Sequence, residues 1–225
     1  MIVRFPHCFV NSPRVQFLYE DNHLIAVVKP CGIATMGLPD GQETLLTQTK
    51  EYIKKKYNKP GAVYLGVVSR LDVPVSGVVL FARTSKAAAR LNEQFREHSV
   101  EKIYTALVEG KIHPPEGRCC DLLENDKRHR KAHITDNPGG KASVLFYKTV
   151  RRVGNNSLIE IHLETGRKHQ IRIQLSSRGY PILGDIKYGS KKAFPCGIAL
   201  HAWKLRFDHP VTKERIELTA PVPFE

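Results

Sequence analysis

The sequence contains no apolar run near the roughly 20 residues that a membrane-spanning helix needs. Its first residues also lack the long apolar core of a signal peptide. We therefore expect a cytoplasmic protein that has no membrane partner. Residues 1–19 contain Arg4 and Arg14 but no acidic side chain, so import into an organelle stays open.

The five cysteines are odd in number and include no C-x-x-C pair. Cys119 and Cys120 are adjacent, a spacing that chelates one ion poorly even with His129 and His133 further along the chain. We expect reduced thiols, as in intracellular proteins, and no metal site.

Acidic residues are few relative to basic ones: 22 Asp and Glu stand against 35 Lys and Arg, a net charge of +13. An excess of this size favours polyanionic partners, because Lys and Arg neutralise phosphates and release counterions. RNA, DNA and anionic membrane surfaces all meet this condition. The sequence has no basic amphipathic helix with a Trp or Leu face, so a nucleic acid is the favoured partner.

The spacing of apolar residues predicts the elements of the fold. Residues 43–57 have a helical apolar pattern with lysines on the other positions, which gives either a basic binding face or a merely solvated one. Residues 111–141 are rich in Pro, Gly and basic side chains and predict a long mobile loop, either an RNA clamp or disordered. The other predicted elements are strands over 14–19, 24–28, 100–110, 142–150 and 158–163, and a helix over 85–98 capped by Thr84 or Ser85.

Residues 66–82 place polar groups between two buried strands. The β-branched runs 66–68 and 77–82 are typical of strands, and the insert between them carries Arg70 and Asp72. Functional side chains often lie on loops that rigid elements hold in position. The insert is also compatible with a simple turn in which Arg70 pairs with Asp72.

This segment resembles the signature H-R-L-D-x-x-T-S-G of the RluA-type pseudouridine synthases. The matching residues are Arg70, Leu71, Asp72, Ser76 and Gly77. Two positions depart from the signature: Ser69 stands where the family has His, and Val75 where it has Thr.

Further motifs of the same family follow in its order. Lys29-Pro30 with Gly32 resembles the start of its catalytic domain, and residues 102–110 resemble its K-x-Y-x-A-x-V-x-G motif around Tyr104. Residues 165–174 resemble T-G-R-x-H-Q-[LI]-R-[VI]-H, with Gln174 in place of the last His. Two C-terminal stretches, 183–189 and 200–210, also match, so the resemblance covers about residues 19–223.

The resemblance implies an α+β fold built on a mixed, mostly antiparallel bent sheet flanked by helices and long loops, with a central RNA cleft. It implies one catalytic domain over 1–225, with about 1–18 as an N-terminal extension and no separate RNA-binding domain upstream.

The resemblance also implies the roles of the site residues. Asp72 is the catalytic carboxylate, Tyr104 stacks on the target uracil, and Arg172 pairs with Asp72 and keeps it charged in an apolar pocket. Arg70 replaces the flipped base in the RNA stack. A strand-like alternation is expected to turn Arg172 away from its two neighbours. The remaining RNA-binding residues are Arg167, His169, Gln170, Ile171 and Ile173.

The expected activity is isomerisation of a specific uridine to pseudouridine in structured RNA, either transfer or ribosomal, by a monomer without an obligate protein partner. Asp72 acts either as a nucleophile at the anomeric carbon or as a base on a ribose proton. No cofactor is expected, because the reaction involves no redox change. The alternatives are a catalytically idle RNA-binding protein and a base-removing glycosidase, which usually needs a second carboxylate that the sequence does not place near Asp72.

Overall fold

The computed structural model describes residues 15–39, 41–126, 128 and 131–224. The chain divides into two compact units: one comprises residues 1–100 with 202–225, and the other comprises 101–201. Most of the predicted N-terminal extension, residues 1–14, lies outside the described residues. One catalytic domain over 1–225 stays a prediction.

The elements follow in chain order. They are β1 (Gln16–Glu20), β2 (Leu24–Lys29), α1 (Leu45–Lys56), β3 (Gly66–Val67), β4 (Ser76–Ala82), α2 (Ser85–Arg96), β5 (Glu101–Glu109), β6 (Glu116–Asp126), β7 (Lys131–Ile134), β8 (Lys141–Val153), β9 (Asn156–Leu163), α3 (Gln170–Ser176), a 3₁₀ helix (Ile186–Tyr188), β10 (Leu200–Asp208) and β11 (Arg215–Thr219).

The first unit is a sheet covered on both faces. Strand β2 lies between β1 and β4 and pairs antiparallel with both. Strand β4 also pairs with β3 and adjoins β10. Strand β11 pairs with β10. Alternate residues of β2 and β4 pack with α1 on one face and with α2 on the other. Burial on both faces explains why these two strands are almost continuously apolar.

Both helices of this unit begin where the sequence predicts. Helix α1 starts after Thr44, whose side chain accepts the backbone N–H of Thr47 while the Thr47 hydroxyl accepts that of Thr44. Helix α2 starts after Thr84, whose side chain accepts the backbone N–H of Ala87. The last turn of α1 is basic and complements the negative end of the helix dipole.

The second unit is an antiparallel sheet in the order β5-β9-β8-β6-β7. The prediction of a long mobile loop over 111–141 is wrong for most of this range, because β6 and β7 form a hairpin. Strand β6 pairs with β8 over its first eight residues and buries Cys119 and Leu123. The basic and Gly-rich composition of residues 111–141 is typical of a loop and obscured the strand pattern of β6 and β7. Lys127, His129 and Arg130, in the basic cluster, lie outside the described residues.

Helices pack with antiparallel sheets, which confirms the α+β fold class. In the described ranges, no helix has both the length and the apolar character needed to cross a membrane. The expectation of reduced thiols is confirmed for Cys119 and Cys120 and is wrong for Cys31 and Cys196, which are disulfide-bonded, a state for which the sequence carries no signal. Burial raises the pKa of the Cys119 thiol to about 11.

Candidate active site

Asp72 lies in the loop between β3 and β4 of the first unit. Its carbonyl accepts the backbone N–H of Val75 at 3.0 Å, which closes a turn around Pro74. The Asp72 side chain is half-buried and Arg70 is exposed to solvent. The loop therefore presents Arg70 outward, as contact with RNA requires.

Gly77 fixes the far end of this loop. Its φ of +123° is strained for other residues, and a Cβ built at this position would meet the backbone of Ala202 on β10. Glycine is therefore required where β10 passes β4. This contact accounts for the glycine that follows Ser76 in the sequence pattern.

The backbone on both sides of Asp72 is held by residues 29–35, which comprise the last residue of strand β2 and the segment after it. The Thr35 hydroxyl donates to the carbonyl of Leu71 at 3.1 Å and accepts the Leu71 N–H at 3.2 Å. The carbonyl of Val73 accepts the N–H of Gly32 at 2.8 Å. The peptide groups before and after Asp72 therefore have fixed partners.

Lys29 adds a third bond to this arrangement. Its side chain is fully buried, and Nζ donates to the carbonyls of Pro30 and Ile33, both at 2.8 Å, and of Val73 at 3.1 Å. Three acceptors match the three protons of an ammonium group. Burial lowers the pKa of Lys29 to about 7, and the negative charge of Asp72 opposes that shift. No sequence pattern indicates that Lys29 lies near Asp72.

Replacing Lys29 with methionine is expected to change how stability depends on pH. Between pH about 7 and 10.5 the unfolded chain keeps the Lys29 proton and the folded protein loses it, so the free energy of unfolding rises with pH. The free energy of unfolding of the wild type minus that of Lys29→Met should increase by up to about 1 kcal/mol per pH unit in this window. Urea unfolding of both proteins at a series of pH values measures it. A difference that is constant or falls with pH would contradict the prediction.

Arg172 of the second unit, which is predicted to be catalytic, lies in a helix. The expected strand alternation across Ile171, Arg172 and Ile173 is wrong, because these residues belong to α3. The helix begins after His169, whose backbone is left-handed with φ of 56°. Its first six residues are all buried, so apolar residues around Arg172 do not distinguish a helix from a strand.

Asp185 is a buried partner of Arg172. Arg172 Nε donates to Asp185 Oδ2 at 2.7 Å and Nη2 to Oδ1 at 2.8 Å. Both side chains are buried, with exposed fractions of 5% and 1%. The sequence showed Asp185 only as part of a C-terminal pattern and gave no sign of this pairing. The pairing of Arg172 with Asp72 stays a prediction.

Tyr188 supports two of the predicted site residues. Its ring lies 4.9 Å from the Arg172 guanidinium carbon, a cation–π contact, and its hydroxyl is 2.6 Å from His169 Nδ1. The same hydroxyl accepts the backbone N–H of Ala132 on β7 at 3.1 Å. Tyr188 therefore links Arg172 and His169 to the β6–β7 hairpin.

Three of the predicted RNA-binding residues are buried in the second unit: Gln170, Ile171 and Ile173. Gln170 Oε1 accepts the Thr165 hydroxyl at 2.8 Å and the Arg167 N–H at 3.0 Å, and Nε2 donates to the carbonyl of Val144 at 3.1 Å. These bonds shape the Thr-Gly-Arg turn before α3. Contact of the three residues with RNA stays a prediction.

Two other predicted residues reach the surface of this unit. Arg167 is exposed, and its Nε donates to the carbonyl of Ala142 at 3.1 Å. Tyr104 is half-buried on β5 opposite Ile161 of β9, while its neighbours Ile103 and Thr105 are buried. The predicted strand alternation at Tyr104 is confirmed, and its stacking on uracil stays a prediction.

The three departures from the family signatures have contacts inside the protein. Ser69 Oγ accepts the backbone N–H of Leu80 at 3.2 Å, and Val75 is buried. Gln174 is also buried, and its Nε2 donates to Asp121 Oδ2 at 2.6 Å and to the carbonyl of Ser143 at 3.1 Å. Ser69 and Gln174 thus form local hydrogen bonds, while Val75 contributes to the core.

Within the described part of the chain, no group of three or more His, Cys, Asp or Glu residues is arranged to hold a metal ion.

The comparisons with known proteins agree with this geometry. The family model described as RNA pseudouridylate synthase matches residues 23–177, a range that includes Asp72, Tyr104 and Arg172. The ribosomal large subunit pseudouridine synthase D of Zymomonas mobilis is 34% identical to this chain, over 95% of the chain and 72% of that protein. The dual-specificity RNA pseudouridine synthase RluA of Pasteurella multocida is 32% identical, over 95% of this chain and 96% of its own length.

A solved structure supports the fold. Human RNA Pseudouridylate Synthase Domain Containing 4 superposes with a TM-score of 0.77 at 23% identity, over 92% of this chain and 88% of the human one. The family model covers more than half of the chain, and the two relatives align with nearly all of it. This chain therefore belongs to the RNA pseudouridylate synthase family and is an isomerase.

Proposed function

We propose that this protein isomerises a specific uridine to pseudouridine in structured RNA, and that Asp72 is the catalytic carboxylate. The observation that carries the proposal is the placement of Asp72 in a loop whose backbone is fixed on both sides and which presents Arg70 to solvent. The presence of Asp72, Tyr104 and Arg172 in a member of a family of isomerases disfavours the catalytically idle alternative.

The proposed reaction begins with extrusion of the target nucleotide, because a stacked uridine hides its glycosidic bond. Arg70 takes the place of the base, since its planar guanidinium can stack in the gap and pair with phosphate. Tyr104 stacks on the flipped uracil, an interaction worth about 1–3 kcal/mol. Arg172 pairs with Asp72 and keeps the carboxylate charged and aimed.

Asp72 then promotes cleavage of the bond between the anomeric carbon and the base nitrogen, either as a nucleophile or as a base on a ribose proton. The uracil turns in the closed site, and its carbon five forms the new bond to the sugar. The hydrogen at carbon five leaves as a proton, so no oxidant or reductant takes part.

The proposed substrates are transfer and ribosomal RNA. One relative is named for the ribosomal large subunit and another for dual specificity. The net charge of +13 favours a polyanion, and α1 adds the exposed Lys54 and Lys55 with Lys59 just beyond its end. We propose that these lysines, with Arg167 and His169, contact the RNA. We also propose a cytoplasmic monomer without an obligate protein partner.

Tritium release from RNA labelled at carbon five of uracil tests the proposal. Wild-type protein is incubated separately with bulk transfer RNA and bulk ribosomal RNA, and the digested RNA is then analysed for pseudouridine. We expect release with an equal gain of pseudouridine in at least one pool. RNA binding with no release from either pool favours the idle protein, and free uracil without pseudouridine favours the glycosidase.

A further inference from the structure

We propose that Thr35 is a positioning residue for Asp72: its buried hydroxyl fixes the peptide that precedes the carboxylate and so sets the rate of the chemical step. This inference rests on the proposed function, in which Asp72 is the catalytic group. Thr35 lies outside every motif that the sequence pattern connects with activity.

The hydroxyl of Thr35 bonds to both backbone polar groups of Leu71, as a neighbouring β-strand otherwise would. One oxygen atom donates to the Leu71 carbonyl at 3.1 Å and accepts the Leu71 N–H at 3.2 Å. Only 3% of Thr35 is exposed, so these backbone groups have little access to water in its place. A single side chain therefore satisfies both polar groups of the residue directly before Asp72.

Thr35 is itself tied to a rigid element. Its carbonyl accepts the N–H of Leu46 at 3.1 Å, and the carbonyl of Ala34 accepts the N–H of Leu45 at 2.9 Å, so the first turn of α1 holds this segment. Leu45 is fully buried in the core beneath α1, and the side chain of Leu71 packs against the same core. Thr35 therefore connects the backbone of Leu71 to the first turn of α1, in addition to the packing of the Leu71 side chain against the core.

The opposite side of Asp72 has its own attachment. The Val73 carbonyl accepts bonds from the Gly32 N–H and from Lys29 Nζ. With Leu71 held by Thr35 and Val73 held by Lys29, the backbone of Asp72 cannot shift without breaking buried hydrogen bonds. Thr35 is the better of the two to test, because its replacement changes no charge, whereas replacing Lys29 removes a positive charge that interacts with Asp72.

Loss of the Thr35 hydroxyl leaves both backbone groups of Leu71 without their partner, and the loop is expected to move to recover hydrogen bonds. A displacement of about 1 Å at a catalytic group can reduce a rate by about 10²-fold. Binding of RNA should change little, because Thr35 is itself buried, whereas Arg70 would contact RNA through an exposed side chain.

The test compares four variants by tritium release, RNA binding and thermal unfolding. Thr35→Val keeps the shape and removes the hydroxyl, and Thr35→Ser restores it. Thr49→Val is the matched control, because the buried Thr49 hydroxyl donates to Leu45 at 2.7 Å in the same unit but does not bond to the Asp72 loop. Asp72→Asn is the reference for loss of the carboxylate.

We expect Thr35→Val to lower kcat by about 10–100-fold while KM and the Kd for RNA stay within about two-fold of wild type. Thr35→Ser should recover most of kcat. Thr49→Val should leave kcat unchanged.

Three results would overturn the inference. These are a wild-type kcat in Thr35→Val, an equal loss of kcat in Thr35→Val and Thr49→Val, or a change confined to KM. An inactive Asp72→Asn beside a fully active Thr35→Val rejects the role of Thr35 alone. An active Asp72→Asn rejects the proposed role of Asp72, and the inference with it.

Discussion

Asp72→Asn is expected to release tritium from RNA at least about 10³-fold more slowly than wild type. Asparagine has the size and shape of aspartate, but its amide is neither a nucleophile toward an anomeric carbon nor a base for a ribose proton. The bonds that hold Leu71 and Val73 involve only the backbone of the loop, so they should remain in the variant. The loss should therefore appear in kcat, with RNA binding largely retained.

A matched carboxylate outside the site controls for the change of charge. Glu93 is exposed on α2, and Glu93→Gln removes one negative charge without touching the Asp72 loop. Single-turnover tritium release with Asp72→Asn and Glu93→Gln measures the effect on the chemical step. A rate for Asp72→Asn within about ten-fold of wild type would show that another group performs the chemistry.

Asp185→Ala is expected to destabilise the folded protein by about 3–5 kcal/mol, because it leaves the buried guanidinium of Arg172 without its bidentate partner. In a chain of this size each kcal/mol lowers Tm by about 2–4 °C, so a fall of roughly 6–20 °C is expected. Thermal unfolding followed by circular dichroism measures it. A melting curve identical to that of wild type would show that the pair contributes nothing.

A double variant separates the structural role of Arg172 from its proposed catalytic role. Replacing a buried ion pair by apolar residues of similar volume is often neutral or stabilising, so Arg172→Met with Asp185→Leu should recover most of the lost Tm. The double variant should release no tritium, because it lacks the Arg172 guanidinium that pairs with Asp72 in the proposed site. Recovery of activity together with stability would show that Arg172 acts only as part of the fold.

The sequence predicted those helices and strands that are determined by residues close together in the chain. Thr84 marked the start of α2, the helical apolar pattern over residues 43–57 marked α1, and β-branched runs marked β2 and β4. The β6–β7 hairpin was missed because its pairing with β8 outweighs a composition typical of loops. Helix α3 was missed because it is buried on all sides and so lacks an amphipathic period.

The site itself was predictable only as a set of motifs. Asp72, Tyr104 and Arg172 could be singled out because each stands in a signature that resembles one family. Their supports could not, because Asp185 and Thr35 act through contacts that residue type and spacing do not reveal. Lys29 shows the same limit, since its position within a motif gives no sign of the carbonyl that it reaches 44 residues later.

The close approach of Gly77 to Ala202 bears on how the protein is made. The first unit combines residues 1–100 with 202–225, so the strand that passes Gly77 leaves the ribosome more than a hundred residues after the loop of Asp72. The nascent chain can pair β2 with β4 early, but it cannot complete the sheet beside Gly77 until the last segment is translated. A product that stops before β10 would thus carry the Asp72 loop without the strand that passes Gly77, and we expect such a product to be inactive.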